Sequence, residues 1–329
     1  MAGQLDLERV VQAIRSHDSF VILEHEKPDG DCVGSGFAMV QALQAMGKQA
    51  ILVSQDPHPA VYDFLPGRSF HTREAYLDPA DFAPQAAIFL DCTDPERAGE
   101  ALRFAQDKFL INVDHHVSNS RFGDVHLVRP DASATGEIVF SLIEALGVEI
   151  TLDIATCIYV AIVTDTGGFR YQNTSGECLR VAASLLDKGV AAWGIAEQIF
   201  ETRSASSVLL LGSALSTLKL YRCGKIAAVT VTREMMKAAG AAPEETEGII
   251  GYPRSLTGVE VALLFREDPS GKGFHVSFRS RSRVDVSAVA VSLCGGGHPR
   301  AAGAFLQGDI DKVTEEVLLA LESIPWMDS

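Results

Sequence analysis

Three absences narrow this sequence before any motif is read. No stretch of about 18 apolar residues occurs, which excludes an ordinary transmembrane helix. The opening MAGQLDLERVVQAIRSHD carries acids early and has no apolar signal-peptide core, so a soluble cytoplasmic protein is expected. Cys32, Cys92, Cys157, Cys178, Cys223 and Cys294 are scattered with no CxxC pair, which argues against a disulfide framework or a thiolate zinc site and for a reducing compartment. Bases are also scarce: 28 Lys and Arg stand against 43 Asp and Glu, a formal charge of −15. That is the wrong sign for a protein that coats long nucleic acid, although a local basic pocket could still take a small anion.

What is present is globular. With 329 residues, 47% of them hydrophobic and 22% charged, the chain can bury two cores, and two domains are expected. Short apolar runs at 20–23, 49–53, 86–90 and 109–113 read as buried strands. Helical patterns lie between and after them: Leu7, Val10, Val11 and Ile14, then 36–46, 96–104, 135–146 and 152–163. This alternation predicts a mostly parallel sheet with helices on both faces and ligands beyond the carboxyl ends of its strands. Residues 176–218 are nearly all helical in pattern. Strands at 226–231, 259–265 and 274–278 follow, with helices at 244–250, 286–293 and 310–321 and a loop opened by Gly295, Gly296 and Gly297. The expectation is an α/β chain: a parallel-sheet catalytic domain at 1–188, a helical connector at 189–218, and a smaller α+β domain at 219–329.

Chemistry gathers at the ends of these elements. His25-Glu26-Lys27-Pro28-Asp29-Gly30-Asp31 follows the first strand, and its loop can converge two carboxylates and an imidazole on one point. Read blandly, it is a Pro-Asp-Gly surface turn. Asp91 follows the strand at 86–90 and could merely cap a helix. Asp114-His115-His116 follows the strand at 109–113, with Asn119 just beyond, and Asp165 ends the apolar stretch 155–163. An acid at one element end is ordinary; acids at all four, two with histidine, point to one metal centre. Oxygen and imidazole donors without thiolate suit Mn²⁺, Mg²⁺ or Fe²⁺, and so many carboxylates suit two ions sharing one acid.

In this order, HEKPDGD, DCTD, DHH and TDTGGF resemble the four motifs of the DHH phosphoesterases. Arg279-Ser280-Arg281 and Gly295-Gly296-Gly297-His298-Pro299-Arg300-Ala301-Ala302-Gly303 resemble the DHHA1 domain that accompanies them. Length and layout are most similar to the NrnA type within the family. The resemblance implies two divalent ions, Mn²⁺ ahead of Mg²⁺ or Fe²⁺. By motif position His25, Asp29 and Asp91 would hold the first ion, and Asp31, Asp91, His115 and Asp165 the second, with Asp91 the bridge. Asp114 would orient a histidine and His116 would face the substrate phosphate. Asn119, Arg279, the three glycines, His298 and Arg300 would bind substrate. The implied reaction is hydrolysis of di- to tetranucleotides to 5′-mononucleotides, and of 3′-phosphoadenosine 5′-phosphate to AMP, by a two-metal hydroxide mechanism. Expected partners are short RNA or DNA oligonucleotides and nucleotide phosphates, with no membrane and no long nucleic acid; a homodimer stays open. Two other readings also stay open: a phosphodiesterase of cyclic dinucleotides or their linear products, and a non-catalytic nucleotide-binding regulator.

Overall fold

A computed structural model describes residues 2–77 and 82–323. It divides into two compact units, Met1–Thr202 and Arg203–Ser329. The division falls inside the stretch read as a connector. The outermost expected domain bounds, residues 1 and 329, lie outside the described residues. No helix among these residues is long and apolar enough to cross a membrane.

The first unit runs α1 (Ala2–Ser16), β1 (Ser19–Leu23), α2 (Gly30–Ala45), β2 (Gln49–Ser54), β3 (His71–Arg73), β4 (Ala86–Leu90), β5 (Phe109–Asp114), β6 (Val125–Val128), α3 (Thr135–Leu146), α4 (Leu152–Asp165), α5 (Gly176–Asp187) and α6 (Ala192–Ala196). Its sheet has the order β3-β2-β1-β4-β5-β6, and every neighbouring pair is parallel. Alternation divides the strand residues between two cores. Phe20, Ile22, Ile88 and Ile111 face α2, α3 and α4. Val21, Leu23 and Phe89 face the opposite layer of Ala98, Ala101 and Phe104. Burial on both faces is why these strands read as continuous apolar runs. The strand order reverses between β1 and β4, and an open α/β sheet forms its ligand crevice at such a reversal.

Two expectations for this unit need correction. The helix at 96–104 is a 3₁₀ segment, Pro95–Ala105, broken at Gly99, where φ is 56°. The second helix starts at Gly30, not at Gly36, so Gly30 and Asp31 open the helix while His25–Asp29 form the loop before it. Its small residues serve packing. A Cβ on Gly34 would lie 2.5 Å from the Cys157 carbonyl oxygen, and one on Gly136 would lie 2.5 Å from Ala161 Cβ. The missing side chains let α4 approach α2 and α3 closely, and α4 carries Asp165.

The second unit runs α7 (Ala205–Leu215), β7 (Lys219–Tyr221), β8 (Ile226–Val231), α8 (Arg233–Ala239), α9 (Gly251–Ser255), β9 (Val261–Glu267), β10 (Gly273–Ser280), α10 (Val286–Ser292), β11 (Gly296–His298), β12 (Ala301–Gln307) and α11 (Ile310–Glu322). Its sheet order is β11-β12-β10-β9-β8-β7; β8 and β9 pair in parallel and the other neighbours are antiparallel. The helix expected at 244–250 is a 3₁₀ turn, Pro243–Thr246, followed by α9. The expected glycine loop is a hairpin, with Gly296 opposite Gly303 and His298 opposite Ala301.

Candidate metal centre

The carboxyl ends of β1, β4 and β5 and the end of α4 bring the predicted ligands together. Asp29 caps α2, and its Oδ1 accepts from the Asp31 and Cys32 amides. It therefore caps a helix, where the bland reading had a surface turn, and still stands at the site. Asp31, in the first turn of α2, is buried. Asp91 follows β4 directly at a φ of 59°, a left-handed conformation that is uncommon for a residue with a side chain.

Asp91 faces two separate groups with its two oxygens. His25 Nε2 lies 3.5 Å from Asp91 Oδ2 and 3.9 Å from Asp29 Oδ1. His115 Nε2 lies 3.6 Å from Asp91 Oδ1, and 3.8 Å from both Asp31 Oδ2 and Asp165 Oδ2. Each histidine turns its other nitrogen to a backbone carbonyl: His25 Nδ1 is 2.7 Å from the Glu26 oxygen, and His115 Nδ1 is 3.4 Å from that of Ala132. These partners assign the proton to Nδ1 and leave Nε2 as a lone pair aimed at the acids, the usual arrangement of a metal-binding imidazole.

His116 is arranged differently. Its Nδ1 is 2.8 Å from Asp114 Oδ1, and the same oxygen accepts from the backbone amides of His115 and His116. Asp114 is fully buried, and Asn119 Nδ2 donates to its other oxygen at 2.6 Å. The Asn119 amide also donates to Asn112 Oδ1 and the Cys92 carbonyl, and its oxygen accepts from the Arg121 amide. Asp114 thus aims the double histidine, and Asn119 braces Asp114.

Charge at the centre is strained without cations. Burial, with Asp91, Asp165 and Asp29 nearby, pushes the Asp31 carboxyl well above the usual carboxylate range. Burial raises Asp165 to about 6, against the pull of His115. Burial opposes ionisation of Asp91 too, but His25, His116 and His115 overcome it and bring that group to about 2. The Asp114 hydrogen bond lifts His116 to about 9, against the effect of burial. Ligand atoms of Asp31, His115 and Asp165 lie within 4.8 Å of one another, as do those of Asp91, Asp114, His115 and His116. Carboxylates that resist one another's ionisation around paired imidazoles are a donor set that divalent cations fit.

Several residues that hold this centre were missed from the sequence. The Thr135 and Gly136 amides, at the start of α3, donate to Asp31 Oδ2 and Oδ1 at 2.7 and 2.9 Å. Ser35 Oγ adds a bond of 3.1 Å to Asp31, and Thr135 Oγ1 donates to Asp91 Oδ1 at 2.9 Å. Asn173 Nδ2 donates to Asp165 Oδ2 at 3.1 Å. The amides at the start of the helix read at 135–146 were a usable signal, since such a terminus presents free N–H donors. Asn173 had no comparable signal.

The second unit groups its own predicted residues. Arg279 on β10 pairs across the sheet with Ala301, beside the β11–β12 hairpin, and burial lowers its guanidinium from the ordinary value. Arg281 Nη2 donates to the Arg254 and Leu256 carbonyls. Arg300 Nη1 donates to Ser280 Oγ, and His298 is exposed. The glycines are not equivalent. A Cβ on Gly295 would collide with the Gly303 carbonyl, and one on Gly297 would lie 2.5 Å from Ala302 Cα, whereas Gly296 faces open space. Packing against β12 accounts for two of the three, and close approach by a ligand is left to Gly296.

Residues 19–162 match the DHH family, N-terminal domain, and residues 224–323 match the DHHA1 domain. A Thermus thermophilus protein named bifunctional oligoribonuclease and PAP phosphatase NrnA is 40% identical over 303 residues, 91% of this chain and 88% of the relative. The crystal structure of an exopolyphosphatase-related protein from Bacteroides fragilis superposes with a TM-score of 0.91 at 27% identity, covering 97% of this chain and 96% of that one. RecJ in complex with Mn²⁺, also from Thermus thermophilus, reaches 0.55 at 15% identity over 98% of this chain and 55% of its own, a likeness of fold.

Proposed function

Because the chain belongs to the DHH family and carries a DHHA1 domain, we propose that it is a metal-dependent phosphoesterase of short nucleotides. It hydrolyses di- to tetranucleotides to 5′-mononucleotides and 3′-phosphoadenosine 5′-phosphate to AMP, a reading supported by its Thermus relative, which is named for oligoribonuclease and PAP phosphatase activities. One observation carries this reading beyond the family: Asp91 turns one oxygen to the His25–Asp29 group and the other to the His115–Asp31–Asp165 group. A shared carboxylate between two ligand sets supports a pair of ions, with Mn²⁺ the first candidate given the oxygen-rich set.

His25, Asp29 and Asp91 would hold one ion, and Asp31, Asp91, His115 and Asp165 the other. Bound there, divalent cations supply Lewis acidity towards water and the phosphoryl oxygens. Asp114 fixes the His116 ring through Nδ1, which assigns the rest of that ring to the phosphoryl oxygens of the substrate. The α3 amides and Thr135 hold Asp31 and Asp91 in place before substrate arrives, so little reorganisation is needed during the reaction. Arg279, Arg300, His298 and the open backbone at Gly296 are assigned to a neighbouring phosphate or terminal nucleotide.

A single panel tests the reading. Protein loaded with Mn²⁺ is assayed against pApA, a 24-mer RNA, cyclic di-AMP, 3′-phosphoadenosine 5′-phosphate and pyrophosphate. Turnover of pApA and 3′-phosphoadenosine 5′-phosphate is expected to lead. A clear preference for cyclic di-AMP would transfer the assignment to cyclic dinucleotides, and no turnover of any substrate would leave a binding protein.

A further inference from the structure

A second constellation of ligand-type side chains stands in the first unit, apart from the motif residues. Glu24 follows β1, His58 lies in the segment after β2, and His71 opens β3; their ligand atoms lie within 4.8 Å of one another. Parallel pairing brings them together, because β2 lies between β1 and β3.

Glu24 has no solvent exposure, and its side chain is poorly accounted for by protein partners. His58 Nε2 is 2.6 Å from Oε2, but Oε1 is buried without a hydrogen-bond partner. A buried carboxylate oxygen without a partner is unfavourable, and a bound cation would remove that penalty. Gly36 makes room for this oxygen, since a Cβ there would lie 2.8 Å from it.

The imidazoles are suited to a metal. Burial, with His58, Arg68 and Arg73 nearby, lowers His71 to about 3, so its ring is neutral across the physiological range. Arg68 is itself paired with Asp63 at 2.5 Å. Ser54 Oγ gives its one proton to the Asp56 carbonyl, and therefore accepts from His71 Nε2 at 2.8 Å. That chain places the ring proton on Nε2 and leaves Nδ1 as the lone pair that a metal would take. The two rings stack with centroids 3.8 Å apart, and Phe37 sets its edge 5.3 Å from His58 as an apolar wall.

We propose that Glu24, His58 and His71 form a separate site for one divalent ion of the zinc type. Two imidazoles and one carboxylate make a three-ligand set that leaves a fourth, tetrahedral position for water. It is richer in nitrogen than the motif centre, so the two should sort metals differently. Binding would exchange the Glu24–His58 hydrogen bond for two bonds to the ion and turn His71 off its stack. Glu24 precedes His25 in the chain, so an ion here would also anchor the end of β1. This site does not depend on the phosphoesterase reading.

The test uses the full chain, stripped with chelator, incubated with excess Mn²⁺ and a stoichiometric amount of Zn²⁺, desalted, and counted for metals by mass spectrometry. Wild type and Asp91→Ala should each retain close to one zinc, whereas His58→Ala and His71→Ala should retain at least about tenfold less. A wild type without zinc, or zinc lost with Asp91, would overturn the site. Anomalous scattering at the zinc edge on wild-type crystals gives an answer that no misfolded variant can obscure. A peak among Glu24, His58 and His71 establishes the site, and zinc found only among the motif acids refutes it.

Discussion

At the scale of single residues, Asp91 holds the most concentrated chemistry in the chain. It is buried, takes a left-handed backbone, accepts from Thr135, and faces His25 with one oxygen and His115 and His116 with the other. Asp91→Ala should lower turnover of every substrate at least about a thousandfold, because two cations without their shared anion repel each other. Steady-state rates after metal reconstitution check this, and activity near wild type would end the shared-carboxylate assignment. His116 should behave differently. Its Nδ1 bonds to Asp114 at 2.8 Å and lies 3.5 Å from Asp91 Oδ1, so it is held by an acid outside the proposed ligand set. His116→Ala is therefore expected to reduce kcat with metal content unchanged, as suits a group that acts on the transition state. Parallel kinetics and metal counting distinguish the outcomes: loss of an ion would make His116 a ligand. The motif acids and histidines were legible because each ends an apolar run, where a charged side chain has no packing role. Glu24 and His58 were not, because neither residue stands in a pattern that only a ligand would explain.

At the scale of elements, the central strands were legible and the marginal ones were not. β4 is apolar and buried along its whole length, so no competing reading existed. β3, with the sequence HTR, and β6, with VHLV, are short edge strands whose identity comes from pairing with a neighbour. β12, AAGAFLQ, is poor in β-branched residues, and its state is imposed by seven cross-strand pairs with β10. The start of α2 was hidden by glycines that serve helix packing. Gly34→Ala should therefore cost about 1–3 kcal/mol, as overpacking does, and weaken metal binding by moving α4 and Asp165. Thermal denaturation with and without Mn²⁺ measures both effects. The β9–β10 turn gives a pH-dependent case. Asp268 accepts from the Ser270 amide and hydroxyl and from His275, which lowers its carboxyl to about 2. A carboxyl lowered by folding stabilises above its unfolded value, near about 4, and loses that contribution as pH falls through the folded one. The melting-temperature gap between wild type and Asp268→Asn should be present at about pH 5 and close towards about pH 2. A gap that widens on acidification would reverse the assigned sign.

At the scale of the whole molecule, the charge of −15 disfavours the holding of long nucleic acid. With 43 acids against 28 bases, a long strand is expected to gain little from its additional phosphates. Dinucleotides to tetranucleotides should be cleaved much faster than a 24-mer, and equal kcat/KM at matched ends would discard that expectation. The salt dependence should be shallow. Each neutralised phosphate of a single strand contributes a slope of about −0.7 in log affinity against log salt, so a substrate with few phosphates should give no more than about −2. Arg300→Ala should raise KM by a factor equivalent to about 1–3 kcal/mol, with kcat nearly unchanged. A parallel sheet also imposes an order in time. The groups that meet at Asp91 come from positions as distant as His25 and Asp165, and no hairpin joins neighbouring strands. A ribosome needs on the order of 10 s to make the intervening chain. A nascent peptide that ends before Asp165 lacks one of the proposed ligands. The proposed ions would therefore be selected after the sheet has assembled, by what the finished cavity admits and not by which ion reaches the emerging peptide first.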